Sequence, residues 1–212
     1  MKKTLITAVI AATLSPAVLA DVTREGWQLS FGLGTAINSS EKIEIERDGK
    51  QDIVLDDVSF DSKPSPLYFA IKAGKWSGST AYELEFIHNK LHANEKDVGQ
   101  GIDNLEISND VNFIYLNYAV AKNQWVARGG IGPVVASPTL IINGLKLDDG
   151  YQVKGVTGQF GLEREFMVND SVSVGIEGKV SHSYTRLDLG DGASMDLPNT
   201  ALHFLFNIKY TL

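Results

Sequence analysis

Alternation with a period of two runs through eight stretches of this chain, and it constrains the fold more than any other feature. Trp27, Leu29, Phe31 and Leu33 share one face of an extended backbone, while Gln28, Ser30, Gly32 and Gly34 share the other. The pattern recurs at Leu67 to Gly74, Ala81 to Phe86, Phe113 to Val120, Val126 to Val135, Val156 to Phe166, Val172 to Ser181 and Ala201 to Leu212. Successive side chains of a strand point to opposite sides, so each stretch is a strand lying between two different environments. One face is aliphatic and aromatic almost throughout. The other is rich in Gly and Ser and carries charges of both signs, among them Lys72, Glu83, Glu85, Arg128, Glu163, Glu177 and Lys179. A soluble barrel of eight strands turns its apolar side inward and its charges out. Opposed charges with small residues suit a narrow, filled interior, and a continuous apolar face suits lipid. The predicted fold is all-β, an eight-stranded antiparallel transmembrane up-and-down barrel, since only a closed barrel lets strands cross a bilayer with every backbone group paired.

The connections alternate in length. Gly74 to Thr80, Lys122 to Gln124 and Met167 to Asp170 are short; Asn38 to Ser65, Ala93 to Asp110, Ser137 to Gln152 and Leu187 to Leu197 are long and polar. Short periplasmic turns and four long extracellular loops, with both termini in the periplasm, are the expected arrangement. The loops hold 18 of the 26 acidic residues, and a solvated face is the reading for them. Within the first loop, Asp48-Gly49 suits a type I′ turn joining Lys42–Arg47 to Lys50–Leu55, a hairpin able to extend the barrel wall above the membrane.

Residues 1–20 have the pattern of an export signal: Met1-Lys2-Lys3, an apolar run from Thr4 to Leu14, and Val18-Leu19-Ala20 before Asp21. The barrel domain is therefore expected over 21–212. Without Lys2 and Lys3 there remain 17 basic against 26 acidic residues, which argues against nucleic acid as a partner. With no cysteine there is no disulfide framework, thiolate metal site or cysteine nucleophile. No Asp-x-Asp-x-Asp-Gly spacing marks a calcium loop, and no motif specifies a metal or any other cofactor.

The stretch from Gly161 to Lys179, GLEREFMVNDSVSVGIEGK, resembles the late strand–turn–strand of the small OmpA/OmpX-type outer-membrane barrels. The run Phe204 to Leu212 is similar to the C-terminal assembly signal of that group, except that Leu212 stands where an aromatic is usual. The resemblance implies a monomer in the cell outer membrane, inserted by the barrel assembly machinery through its last strand, in contact with outer-membrane lipid and lipopolysaccharide. It specifies a fold, not an activity.

The interior of an eight-stranded barrel is just wide enough for side chains, so the lumen charges are expected to meet one another as a structural network. A wide diffusion pore needs about sixteen strands. The leading functional expectation is a structural or loop-presenting barrel with a charge-paired lumen. A second is a lipid A-modifying enzyme. Glu83 to Ala93, with Leu105 to Asn112, is similar to the strand-three and strand-four region of lipid A oxidase-like barrels, through Phe86-Ile-His88-Asn-Lys90. That likeness marks Glu85, His88, Lys90, His92 and His182 as catalytic candidates. Deacylase-type barrels carry His-x-Ser on a late strand, whereas here Ser183 follows His182 directly and faces the other side. Parity also separates His182, facing outward, from His203, facing inward. A third reading is a narrow small-molecule channel, suggested by Tyr68, Phe113, Tyr115 and Leu205 on the inner face.

Overall fold

A computed structural model describes residues 24–61, 68–93, 97, 102–137, 139–142, 145–147, 150–190 and 192–212. The expected signal over 1–20 lies outside them. Thirteen strands form a single antiparallel system, with no helix among the described residues. Eight of them close the barrel: β1 (Arg24–Asn38), β5 (Tyr68–Gly78), β6 (Thr80–Ala93), β7 (Ile102–Lys122), β8 (Trp125–Ala136), β11 (Gln152–Met167), β12 (Val172–Gly190) and β13 (Ala193–Thr211). Each pairs with its sequence neighbour, and β13 returns to β1 to close the ring, with Leu29 opposite Tyr210 and Leu33 opposite Phe206. The other five belong to the connections. They are β2 (Glu41–Arg47), β3 (Ile53–Val58), β4 (Phe60–Asp61), β9 (Thr139–Ile142) and β10 (Leu145–Leu147).

The faces fall as the alternation requires. Trp27, Leu29, Phe31, Leu84, Leu116, Ile131, Phe160, Ile176, Phe206 and Ile208 are exposed on the outside, Ile131 by 74%. Lys72, Glu83, Glu85, Arg128, Glu163, Glu177, Lys179 and Lys209 are buried within. Such a surface is stable only against hydrocarbon, and the molecule is a transmembrane barrel, not a soluble one.

The connections differ from expectation in several places: β7 already begins at Ile102, inside the expected loop at 93–110, and β9 and β10 lie within the expected loop at 137–152. β5 continues to Gly78 and turns tightly through Ser79, so most of the presumed turn at 74–80 is strand. The segment 187–197, expected as a polar loop, is the end of a long hairpin in which Leu187 pairs with Met195 and Arg186 with Asp196. The β2–β3 hairpin forms, but its chain reverses through Arg47 to Lys50, and Gly49 alone of Asp48-Gly49 takes a positive φ. A type I′ turn needs both central residues there.

With 21, 19 and 19 residues, β7, β12 and β13 are far longer than the roughly 9–11 that a crossing requires. The excess rises above the membrane, and the polarity of the wall inverts as it does so. Low on β12, Glu177 and Lys179 face in while Ile176 and Val180 face out; high on the same strand, Leu187 and Leu189 are buried while Arg186 is exposed. β13 repeats this, with Asn207 and Lys209 inside below and Met195 and Leu197 inside above. β2 joins the upper wall by pairing Glu44 to Arg47 against Ala193 to Asp196. Ile43, Ile45 and Leu55 then pack against Leu187, Leu189 and Met195 in one apolar cluster. An exterior that changes from hydrocarbon to water demands this exchange of faces.

Candidate functional site

The lumen is filled in three layers. The lowest is ionic. Arg128 on β8 directs Nε to Glu83 Oε2 at 2.6 Å and Nη1 to Glu163 Oε2 at 2.6 Å, with Glu177 Oε1 at 3.4 Å. Lys72 on β5 reaches Glu177 at 2.6 Å and Glu85 at 3.9 Å. Lys179 pairs with Glu85 and lies 3.6 Å from Glu177. Lys209 holds Glu163 at 2.6 Å and Glu165 at 2.9 Å, and Arg24 closes the lower end on Glu165 at 2.8 Å. Amides fill the remaining acceptor positions: Asn207 donates to Glu163 and Glu177, and Asn117 and Gln159 donate to Glu85.

Five glutamates thus meet five cations, all in contact across the barrel axis. Burying an ion costs several kcal/mol in effective desolvation, and only pairing with further hydrogen bonds offsets it. The expected network residues, Lys72, Glu83, Glu85, Arg128, Glu163, Glu177 and Lys179, all lie in this cluster. Arg24 is the cation that sequence reasoning missed. It precedes the first clear alternation at Trp27, yet its side chain turns inward over the Trp76 ring, 4.8 Å from the centroid.

Above the ions lies a belt of neutral hydrogen bonds. His203 sits between Ser181 Oγ on Nε2 and Tyr68 OH on Nδ1, each at 2.7 Å. Across the lumen Tyr115 OH meets Thr157 Oγ1 at 2.7 Å, and Thr157 donates to the His182 carbonyl. Serine, imidazole and phenol in line have the geometry of a nucleophile, a base and its orienting partner. Enclosure decides against that use: Ser181 is 3% exposed and His203 fully buried, so no reacting carbonyl fits beside Oγ. The grouping was discoverable from register, since Lys179 lies opposite His203 and places Ser181 one inward step away. The third layer is the apolar cluster, in which Ile87, Leu91, Val111, Phe113, Val134 and Ala136 continue upward to Ile43 and Leu187. The inner-face residues Tyr68, Phe113, Tyr115 and Leu205 are buried in this filling.

The catalytic candidates do not converge. Glu85 points into the ionic layer, engaged by Lys179, Asn117 and Gln159. His88, three residues further along β6 and so on the opposite face, points outward, stacked on Phe69 with centroids 5.0 Å apart and with Nδ1 3.1 Å from Asn112 Oδ1. His182 faces outward on β12, 2.9 Å from Thr200 Oγ1. β6 and β12 are four strands apart around a ring of eight, hence on opposite sides. Lys90 and His92 lie on the β6 backbone beside a bulge between Asn89 and Leu91, and their side chains fall outside the described residues. Among the described residues no group of three His, Asp or Glu side chains is arranged to hold a metal ion.

No family model matches the chain, and no curated protein matches it. Among solved structures, the chain is similar to outer membrane protein AlkL, determined by solid-state NMR in DMPC lipid bilayers. The identity is 14%, the coverage 94% of this chain and 95% of that one, and the TM-score 0.56. Neisserial surface protein A superposes with a TM-score of 0.46 at 7% identity, covering 89% and 98% of the two chains. Ail, the attachment invasion locus protein of Yersinia pestis, gives 0.41 at 14% identity, covering 87% and 99%. At such identities the likeness is one of fold, and the expected small outer-membrane barrel fold is borne out.

Proposed function

We propose that this chain is a non-conducting barrel of the outer membrane, built to hold and display a raised β-wall on the outside of the cell. The observation that carries this reading is the continuous filling of the lumen. Ten charged side chains in mutual contact are capped by the Tyr68–His203–Ser181 belt and then by buried Phe113, Leu91 and Leu187. A passage would need room that these side chains occupy. The ionic layer acts as a strut fixing the eight strands to one another, and the excess length of β12 and β13, sheathed by β2 and β3, becomes the displayed surface.

On this reading residues 1–20 serve for export, the C-terminal strand for insertion by the assembly machinery, and surrounding lipid is the immediate partner. The test is conductance. Purified barrel reconstituted in a planar bilayer is expected to give no discrete channel events at ionic strengths where porins conduct. Regular unitary steps from wild-type protein, absent from a mock reconstitution, would overturn the proposal in favour of a narrow channel. A shift in lipid A mass between cells with and without the protein would instead favour an enzyme, against the separation of Glu85, His88 and His182.

A further inference from the structure

Up to the level where the wall exchanges its faces, β11 and β12 pair residue for residue, from Met167 against Ser173 to Val156 against Tyr184. Above it they part. β11 runs on to Gln152 and β12 to Gly190. Among the described residues, that end of β11 pairs only with β8, through Val153 to Val135 and Gln152 to Ala136, and that end of β12 only with β13. Gly155 sets the point of parting. Its φ is +130, and a Cβ there would stand 2.6 Å from the Tyr184 carbonyl oxygen and 2.9 Å from Thr185 Cα, so only glycine lets the two backbones approach so closely. The register against β8 slips between Val153 and Val156, a bulge that bends β11 just beyond that contact. The result is a seam in the raised wall, a cleft of about 490 Å³ between Lys154 and Val156 on one side and Tyr184, Arg186 and Asp188 on the other.

What spans the seam is side chain, not backbone. Gln152, buried, donates from Nε2 to the Asp188 carbonyl at 2.6 Å and accepts the Asp188 N–H on Oε1 at 2.9 Å. A side-chain amide has the donor and acceptor of a peptide unit, and here it makes the two bonds that a residue of a neighbouring strand would make. Outside it Lys154 pairs with Asp188, both about half exposed, and an ion pair in that setting adds little. One rung and one solvated ion pair thus stand in for a ladder. Directly behind them Leu187 and Leu189 are fully buried in the upper apolar cluster. The neighbouring wall is joined on both sides, since β13 carries backbone ladders to β12 and to β2. Local opening begins where backbone bonds are fewest, and in the raised wall that is the seam.

We infer that the raised wall opens locally along this seam, pivoting at Gly155 with Gln152 as its latch, and so gives water access to the core at Leu187 while the ring below Tyr184 stays closed. The inference needs only the folded barrel, and it stands or falls separately from conductance. A chain without cysteine allows single reporter thiols. Leu187→Cys puts one behind the seam. Ser183→Cys puts one below the pivot, where β11 and β12 are still paired, and Met195→Cys one in the same core on a strand paired on both sides. Each barrel, folded in lipid vesicles, is labelled with a water-soluble maleimide, with and without Gln152→Ala. Removing the latch is expected to speed labelling behind the seam about tenfold, as the loss of two hydrogen bonds of ordinary net strength implies, and to leave the other two thiols at their own rates. Heat-modifiable mobility should be that of folded barrel throughout. If Leu187→Cys does not fold, Leu189→Cys at the next inward position of β12 takes its place as reporter. Equal labelling behind the seam with and without Gln152, zero included, would overturn the inference. So would a rise at Ser183→Cys or Met195→Cys that matches the rise behind the seam, because the barrel would then be loosening as a whole.

Discussion

Arg128→Met is the sharpest probe of the ionic strut. The guanidinium is 2% exposed and touches Glu83, Glu163 and Glu177. Its loss leaves five glutamates against four cations. The consequences differ among the three acids. Glu163 retains Lys209 at 2.6 Å and Asn207 at 2.9 Å, and Glu177 retains Lys72 at 2.6 Å. Glu83 has its ion pair with Arg128 alone among the described residues, so it becomes a buried, unpaired carboxylate. Removing one partner of a buried pair costs about 3–5 kcal/mol, most of it the stranded charge. With a urea dependence of about 1–3 kcal/mol per molar, the unfolding midpoint should fall by about 1 M or more. Arg128→Met combined with Glu83→Gln restores four against four and should recover a large part of that loss. The assay is urea unfolding of barrel folded in lipid vesicles, followed by tryptophan fluorescence and by gel mobility. A midpoint for Arg128→Met within error of wild type, or a double variant no more stable than the single one, would refute the reasoning.

Three further outcomes follow from individual contacts. Gly132→Ala would place a Cβ 1.6 Å from the Ile114 carbonyl oxygen, a backbone atom that cannot yield, whereas Gly178→Ala meets open space; the folded fraction in a heat-modifiability gel should collapse for the first and hold for the second. Tyr68→Phe leaves His203 Nδ1 without its 2.7 Å partner, and thermal or urea stability should drop by about 1–3 kcal/mol, the cost of an orphaned buried polar group. Leu187→Asp puts a charge into the upper apolar cluster, so trypsin should cut at Arg47 or Lys50 much faster than in wild type while the membrane-level barrel keeps its folded mobility. Equal cleavage rates would show that the β2–β3 hairpin does not depend on that packing.

The membrane-level barrel was legible because its two faces meet opposite environments on every strand. Ile176-Glu177 or Phe206-Asn207 states its orientation without a neighbour's help. The upper wall was not legible by the same rule. From Leu187 to Leu197 the period of two persists, yet its exposed half, Asp188, Ser194 and Asp196, is polar and its tip is glycine-rich, the composition of a loop. Length assigned it to solvent, when it is a strand pair whose inner half is covered by Ile43 and Ile45 from 150 residues away in sequence. Arg24 escaped for a related reason: one residue beyond a recognisable pattern carries no phase. The ionic partners themselves were readable as a set but not as pairs, because which glutamate meets Arg128 depends on the stagger between β6, β8 and β11, fixed only when the ring closes.

The inversion of faces is also what lets one continuous sheet serve two solvents. A barrel wall that kept Glu177-type residues inside at every height would carry a charged lumen into the loops, where each further ion needs its own buried partner. A wall that kept Ile176-type residues outside would present apolar surface to water. By exchanging the two between Ser181 and Leu187, β12 ends the ionic layer where hydrocarbon ends. It passes through hydroxyls at Ser181, Ser183 and Thr185, which are small enough to face either neighbour, and begins an ordinary apolar core above. The hydrogen-bonded belt at His203 stands at that junction because neither pure charge nor pure hydrocarbon satisfies the groups that border it. A substitution that moved the junction, such as Thr185→Leu with Leu187→Thr, would change no strand pairing. It should nonetheless loosen the hairpin that β2 and β3 rest upon, because the apolar core would then begin one step too low to cover Ile45.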